Sequence, residues 1–429
     1  MRPSLPEDLT LLHRIDPSAG AACRLAAAAL LVVVAPAGVH ATGLGYTEAQ
    51  TLARDGAPLL RAQQAQLAGA GAARRGAESL PDPRLTVGVD NLPIAGMERF
   101  STTRDASTMQ RVALMQEVPN RAKREARAAI AEARIERDRA QLAVVRIAVQ
   151  RDAALAWLGV WAAERRQALI DEFRRENRLL QATFGARIAA ATVLPAEATM
   201  ARQEALAIAD RADDLARATA RARAELRRWV GSRADEPLEG EPAPPPVDAA
   251  RVRERIAASA ELRAYAPMRA MAAGEMAEME AEQRGDWSWE FAYSRRPKYD
   301  DMVSLMLRFD LPWQRAERQQ PQVRVKRHDI ERIEAERDDL ALRLVSEAEA
   351  LLAELRAADV THERLADAGM RLAAERVSLA TASYSAGRTD LGPVLAARMA
   401  ALEARMKLIE LDAARAALRV RLAALVAEE

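Results

Sequence analysis

Two stretches of this 429-residue chain resemble each other: VALMQEVPNRAKREA at residues 112–126 and LMLRFDLPWQRAERQ at residues 305–319. In both, a strand-like segment ends in an acid, an aliphatic residue and a proline, and a charged, helix-like segment follows. After one inserted residue the basic positions also align, Arg121 with Arg315 and Arg124 with Arg318. This match indicates an internal repeat.

A second matched pair supports the repeat: ATVLPAEATMARQEAL at 191–206 and RTDLGPVLAARMAALEA at 388–404. Each half is therefore predicted to run helix, strand, strand, long helix, turn, helix. Residues 237–247, PLEGEPAPPPV, are too rich in proline to continue a helix and predict an extended linker. We expect a first repeat over 42–236 and a second over 248–429.

The longest predicted elements are two helical hairpins, at 120–230 and 320–427. No proline interrupts residues 120–187, and apolar residues recur there in steps of three, four or seven: Leu142, Val145, Val149, Ala156 and Val160. The second hairpin repeats this stripe with Leu340, Leu344, Leu351 and Leu355. At about 1.5 Å per residue, such a rod is on the order of 100 Å long. Each return helix begins at a proline, Pro195 or Pro393, with Thr192 or Asp390 placed to cap it.

Four strands are predicted, at about 83–91, 107–117, 286–294 and 301–310. The alternation is clearest in DWSWEFAY, residues 286–293. Strand periodicity places these residues on one face: Leu85, Val87, Val89, Val112, Leu114, Trp287, Trp289, Phe291, Tyr293, Val303, Leu305, Leu307 and Phe309. The same count places the polar residues on the other: Thr86, Gly88, Asp90, Gln110, Ser288, Glu290, Ser294, Ser304, Arg308 and Asp310.

This alternation fits two structures. A soluble, half-buried hairpin shows it, and so does a membrane-spanning strand of about ten residues. The clustered aromatics and the charges on the other face favour the membrane. We then expect Trp287, Trp289, Phe291, Tyr293, Leu305 and Leu307 to face lipid, and Ser288, Glu290, Arg308 and Asp310 to line a pore. Because four strands cannot close a barrel, the chain must oligomerise; three copies supply 12 strands, although counting also allows two or four.

Composition narrows the function. The 63 basic and 62 acidic residues are interspersed, which argues against a nucleic-acid partner. No nucleotide loop or nucleophile constellation is present, so we predict neither an enzyme nor a cofactor or metal site. His328 and His362 are expected to be solvated surface residues, and Met268, Met271, Met276 and Met279 to pack rather than bind copper.

The N-terminus predicts export from the cytoplasm. Residues 25–39, LAAAALLVVVAPAGV, form an apolar run preceded by Arg24, and Val39 and Ala41 supply the small residues of a cleavage site. The run is too short and too poorly flanked for a spanning helix. We therefore predict a signal peptide over residues 1–41. The only cysteine, Cys23, precedes the apolar run, so disulfides and cysteine-based zinc sites are excluded from the mature chain.

With these features, residues 45–427 resemble the TolC-type outer membrane factors and, within them, the CzcC-like branch that serves cation efflux pumps. Four stretches carry the resemblance: LPDPRLTVGVDNLP (80–93), MQEVPNRAKREARAA (115–129), DLPWQRAERQQP (310–321) and YSAGRTDLGPVLAA (384–397). It implies a mainly α homotrimer with a small β part, in which a 12-stranded outer membrane β-barrel continues into a periplasmic α-helical coiled-coil barrel. It further implies a passive exit duct, with heavy-metal cations as cargo, joined through a periplasmic adaptor to an inner membrane pump of RND type.

In that arrangement the hairpin tips would meet the adaptor and form the tunnel entrance: Thr192, Val193, Leu194, Pro195, Gly387, Arg388, Thr389, Asp390 and Leu391. The chain departs from members with an acidic gate, since Pro393 and Ala396 stand where those carry carboxylates. Asp390 is the acid that remains nearby. The alternative to a channel is a soluble periplasmic coiled-coil adaptor or scaffold, in which the strands would form a small water-exposed sheet.

Overall fold

The structure, a computed structural model, describes residues 43–189, 195–297 and 299–427. All of them belong to one compact unit, so the two repeats are not independent domains. The predicted signal peptide and the tip residues Thr192, Val193 and Leu194 lie outside the described residues.

Both halves have the order short strand, helices, two strands, long helical rod and return helix, which confirms the predicted duplicated unit. The first half contains β1 (Leu44–Gly45), α1 (Tyr46–Gly56), α2 (Pro58–Arg74), β2 (Arg84–Asp90), β3 (Met109–Val118), α3 (Arg121–Ala189) and α4 (Pro195–Val230). The second contains β4 (Leu238–Glu239), α5 (Ala249–Arg255), α6 (Ala260–Arg263), α7 (Tyr265–Ala281), β5 (Trp287–Arg295), β6 (Met302–Phe309), α8 (Gln320–Arg364), α9 (Met370–Ser385) and α10 (Gly392–Leu425). Strands β2, β3, β5 and β6 end within two residues of their predicted bounds.

The two long rods differ in regularity. Helix α3 continues for 69 residues, about 100 Å, without interruption. The second rod, predicted over 322–383, is instead divided by a π-helical segment at Leu365–Gly369 and preceded by another at Arg315–Gln319. A π turn accommodates one extra residue, which apolar periodicity over so short a stretch does not reveal.

Local hydrogen bonds explain where the helices begin. Asn120 Oδ1 accepts from Lys123 N at 2.9 Å and caps α3. Asp390 Oδ1 accepts from Gly392 N at 3.2 Å, as the sequence predicted for the start of α10. Pro195 and Pro393 occupy the first turns of α4 and α10, where a missing amide hydrogen costs nothing.

The main core lies midway along the helices and is centred on Trp157. Its ring is fully buried, meets Tyr46 edge-on at 5.4 Å, and donates a hydrogen bond to Leu44 O at 3.0 Å. Within the predicted stripes, these residues are buried: Leu142, Val149, Ala156, Val160, Leu344, Leu351 and Leu355. Helices α3, α4, α8 and α10 therefore pack through the faces that the sequence indicated.

The start of the predicted linker is extended and paired, since Leu238 and Glu239 form β4, which is parallel to β1. One smaller prediction is wrong. His362 is half-buried and its Nε2 lies 2.8 Å from Asp412 Oδ1, because α10 packs beside it; it is not a solvated surface residue. His328 is exposed, as expected.

One antiparallel sheet contains the four predicted strands in the order β2-β3-β5-β6. The central pair, β3 and β5, joins the two repeats, while β2 and β6 form the edges. In the part of the chain that the structure describes, no helix packs extensively against this sheet.

Candidate functional site

The register defines two faces of the sheet. Residues directly opposite each other in neighbouring antiparallel strands share a face. The apolar face consists of rows such as Leu85–Leu114–Phe291–Leu305, Val87–Val112–Tyr293–Val303, Gln116–Trp289–Leu307 and Val118–Trp287–Phe309. The polar face consists of rows such as Thr86–Ala113–Ala292–Ser304, Arg84–Met115–Glu290–Met306, Gly88–Arg111–Ser294–Met302 and Glu117–Ser288–Arg308.

The register corrects one assignment. Gln110 is opposite Val89 and lies on the apolar face, not on the polar face as predicted. It has the same even-numbered parity as Val112 and Leu114 on β3, so strict alternation could have found this. Arg111 takes its place on the polar face, together with Met109, Met115, Met302 and Met306.

All six residues predicted to face lipid, Trp287, Trp289, Phe291, Tyr293, Leu305 and Leu307, share the apolar face. Ser288, Glu290 and Arg308, predicted to line a pore, share the polar face. The fourth, Asp310, follows the last paired residue of β6 and contributes instead to a pocket below the sheet.

On the central strands β3 and β5, the burial of the two faces is the reverse of that in a soluble sheet, whereas the edge strands β2 and β6 are exposed on both faces. On the apolar face, Phe291 is 47% exposed and Leu305 70%. On the polar face of the central strands, Ala292 is 1% exposed and Ser288 7%. Large exposed apolar surfaces mark contacts with a partner or a membrane. The aromatic side chains therefore do not pack onto this chain's own helices.

An ion-pair network crosses the polar face between the repeats. The Arg111 guanidinium on β3 contacts Glu290 on β5 and lies 3.4 Å from Asp90 on β2. Sequence analysis missed Arg111, because its partner Glu290 is 179 residues away in the chain. Both charges are half-buried, so the network joins the strands and contributes polarity to this face.

At the first strand-to-helix junction, where β3 leads into α3, hydrogen bonds join Asn120 and Lys123 to Asp286, the residue before β5. Asn120 N and Nδ2 donate to Asp286 Oδ1 at 2.8 and 3.0 Å, and Lys123 Nζ lies 3.1 Å from Asp286 Oδ2. Burial alone raises the pKa of Asp286. The hydrogen bonds from Asn120 and Lys123 and the charge of Lys123 outweigh it, so the pKa lies below its usual 3.8.

At the second junction, where β6 leads into the π-helical segment before α8, the backbone of Asp310 lies close to that of Gly285 and Asp286. Asp310 N donates to Asp286 O at 2.9 Å, and Gly285 has a φ of 69°. A Cβ on Gly285 would lie 2.0 Å from Asp310 O, so only glycine fits there. The residues that follow this contact are mostly exposed to solvent, and Trp313 is 87% exposed.

The described parts of the two tips pack together at the opposite end of the helices. A small apolar cluster joins Phe184 of α3 and Ala201 of α4 to Leu391 and Val394 beside the second turn. Tyr384 Oη donates to the buried Glu197 carboxylate at 2.7 Å. Glu197 was not singled out from the sequence, because its partner lies in the other repeat.

The second turn ends α9 with a Schellman motif. Gly387 has a φ of 68°, its N donates to Tyr384 O at 2.9 Å, and Arg388 N donates to Ser383 O at 3.0 Å. The predicted tip residues Gly387, Arg388, Thr389 and Asp390 are exposed, as is Pro195, whereas Leu391 is 1% exposed and anchors the turn. Pro393 and Ala396 are exposed as well.

Neither a membrane-spanning helix nor a metal-binding cluster occurs among the described residues. None of their helices is both long and apolar enough to cross a membrane. Likewise, no group of three or more His, Cys, Asp or Glu side chains among residues 43–189, 195–297 and 299–427 is placed to hold a metal ion.

No protein-family model matches the sequence, and no curated protein matches it either. Solved structures do match the fold. CusC, which forms a transmembrane channel, has a TM-score of 0.76 at 12% sequence identity, covering 90% of this chain and 92% of CusC. VceC, an outer membrane protein of Vibrio cholerae, has a TM-score of 0.74 at 15% identity, covering 90% and 97%.

The CmeC outer membrane channel of Campylobacter jejuni has a TM-score of 0.74 at 10% identity, covering 89% of this chain and 85% of CmeC. Because these matches cover about nine-tenths of the chain, they extend over both repeats. At such low identity they establish architecture. The chain therefore has the fold of the TolC-type outer membrane channels.

Proposed function

We propose that this chain is the outer membrane channel of a tripartite efflux system. Three copies place their sheets edge to edge in a 12-stranded barrel, and their long helices continue as a periplasmic tunnel. Substrate leaves passively through this duct, delivered by an inner membrane pump of RND type and a periplasmic adaptor. The chain carries out no catalysis.

The main support for this proposal is that the apolar face of the sheet is exposed. On the central strand β5 the apolar residue Phe291 is exposed, while Ser288 is buried and Glu290 half-buried on the polar face. In water, exposed apolar area costs about 25 cal/mol per Å². In a membrane the same face is favourable, and the polar face can line water.

The sheet edges support closure by further copies. Strands β2 and β6 each have one neighbour within the described chain. In hydrocarbon an unpaired backbone amide or carbonyl costs several kcal/mol. Pairing β6 of one copy with β2 of the next satisfies these groups and gives 12 strands for three copies.

The exposed tip residues Gly387, Arg388, Thr389 and Asp390 support an adaptor contact, because a polar turn held by a buried Leu391 presents a defined surface. With Pro393 and Ala396 in the first turn of α10, an acidic gate is not part of the proposal. The resemblance to the CzcC-like branch supports heavy-metal cations as cargo, selected by the pump rather than by the duct.

The first test is location and assembly. The full chain is expressed with its leader, the outer membrane fraction is extracted in mild detergent, and the protein mass is measured by light scattering with detergent correction. We expect a trimer in that fraction. A monomer that stays dispersed in plain buffer would instead support the alternative, a soluble periplasmic adaptor or scaffold.

A matched pair of variants tests which face meets lipid. Leu305→Lys places a charge on the apolar face, and we expect about 2–4 kcal/mol of destabilisation at mid-membrane depth. Ser304→Lys, one residue away on the polar face, should assemble normally. Trimer yield from the outer membrane measures both, and equal yields from the two variants would refute the assignment of the faces.

A further inference from the structure

The second strand-to-helix junction contains an open pocket of about 580 Å³. It lies where β6 ends and the π-helical segment before α8 begins. Its lining includes Phe309, Asp310, Trp313, Arg318 and Gln319. The pocket therefore extends from the last row of the apolar face of the sheet to the first charged turn of the second rod.

The pocket holds one cation and one carboxylate that have no ion-pair partner. Lys123, also in the lining, is occupied by Asp286 at 3.1 Å and Glu282 at 3.5 Å. Arg318 and Asp310, in contrast, form no ion pair with each other or with any other residue that the structure describes. The pocket is therefore lined by a positive and a negative side chain that are not paired with each other.

Apolar and aromatic surface adjoins these charges. Trp287 and Phe309 stack at 6.5 Å as the last row of the apolar face. Trp313, four residues beyond Phe309, is 87% exposed and Leu311 is 64% exposed. Tryptophan prefers the boundary between hydrocarbon and headgroups, where its ring is half solvated.

We propose that this pocket binds the zwitterionic headgroup of phosphatidylethanolamine at the periplasmic rim of the outer membrane. Arg318 binds the phosphate, Asp310 binds the ammonium, and the Trp313 ring adds a cation–π contact. The acyl chains continue over the apolar face beside Phe309. This inference rests on the proposed function, because it requires the sheet to lie in the membrane.

The charges favour a zwitterion over an anionic lipid. Asp310 repels a headgroup that carries only negative charge, and Lys123 is already neutralised by two carboxylates. An ammonium group with N–H donors can hydrogen-bond to the Asp310 carboxylate, which a quaternary ammonium cannot do because it has no N–H.

The first repeat offers an internal control. There Arg121 is paired with Glu125 at 2.7 Å and Asn120 replaces the exposed tryptophan. The matching junction therefore lacks both the free charge pair and the aromatic surface. Arg121→Gln removes a positive charge at the same level of the molecule without touching the proposed pocket.

The test is native mass spectrometry of the detergent-purified oligomer, titrated with phosphatidylethanolamine, phosphatidylglycerol or phosphatidylcholine. For the unaltered protein we expect phosphatidylethanolamine to bind most tightly. Arg318→Gln should weaken all three lipids, by about tenfold for the preferred one. Asp310→Asn should remove the preference while leaving phosphatidylglycerol binding intact or stronger, and Arg121→Gln should change nothing.

Equal affinity for the three lipids in the unaltered protein would overturn the inference, as would equal losses in Arg318→Gln and Arg121→Gln. Retention of the preference in Asp310→Asn would overturn the role of that carboxylate. These outcomes concern an oligomer that has already been extracted from the outer membrane, so the proposed function would survive them. A chain that never enters that membrane would refute both.

Discussion

The two strand-to-helix junctions are copies in sequence and opposites in structure. In the first, EVPNR at 117–121, Asn120 is held by Asp286, Ala281 and Gly285 at 2.8–3.3 Å. In the second, DLPWQR at 310–315, Trp313 is almost fully exposed. At the first junction the side chain of Asn120 is hydrogen-bonded within the protein, and at the second the side chain of Trp313 is exposed.

The difference shows that the two copies of a duplicated segment have different structural roles. The first junction joins the repeats, because Asp286 and Gly285 precede β5 in the second repeat and contact Asn120 in the first. Once that contact is made, the equivalent position after β6 is not needed to join anything. There the chain carries the large, exposed side chain of Trp313.

The largest effect is expected from Gly285→Ala, because Gly285 contacts both junctions, Asn120 of the first and Asp310 of the second. A Cβ there lies 2.0 Å from Asp310 O at a φ of 69°, so either the backbone or the end of β6 must shift. We expect a loss of about 3 kcal/mol or more. The midpoint of thermal unfolding, followed by circular dichroism in detergent, measures it.

Gly387→Ala is the matched control, since Gly387 has a φ of 68° but no atom within 4 Å of its Cβ position. It should lose only about 1–2 kcal/mol from the left-handed conformation. Equal losses in the two variants would mean that the contact with Asp310 contributes nothing.

The second prediction compares the junctions directly. Asn120→Ala removes the cap of α3 and the side-chain hydrogen bonds to Asp286, Ala281 and Gly285, and we expect a loss of about 2 kcal/mol. Trp313→Ala, at the open junction, should change the free energy of unfolding by no more than about 0.5 kcal/mol. A larger effect from Trp313→Ala than from Asn120→Ala would reverse the comparison.

The smallest effect is a pH dependence from Asp286. Its pKa in the folded protein lies below the usual 3.8, so its carboxylate contributes stability above that pH and loses it as the pH falls through the folded pKa. Unfolding midpoints measured from pH 5 down to about pH 2 should fall, and fall less in Asp286→Asn. Parallel curves for the two proteins would contradict the assignment.

Much of the fold follows from local patterns in the sequence. The repeat, the long helices and the four strands depend on periodicity, proline placement and turn residues, each of which acts within a few residues. The faces of β5 and β6 were predicted for the same reason. Gln110 was placed on the wrong face although parity on β3 decides it.

The candidate sites depended on contacts that no local pattern contains. Arg111 meets Glu290 across 179 residues, and Tyr384 meets Glu197 across 187. The half-buried His362 likewise depends on how α10 packs along the second rod. Such pairs form only when the two repeats lie side by side.

By itself, the sequence determined which segments are helix and strand and which face of each is apolar, because hydrophobic periodicity is a local property. Only the tertiary structure decided that β3 pairs with β5, that the apolar face of the sheet is left uncovered, and that one junction closes while its copy stays open. The physical reason is that pairing and burial depend on residues more than a hundred positions apart, and their mutual placement is set by the packing of the whole chain.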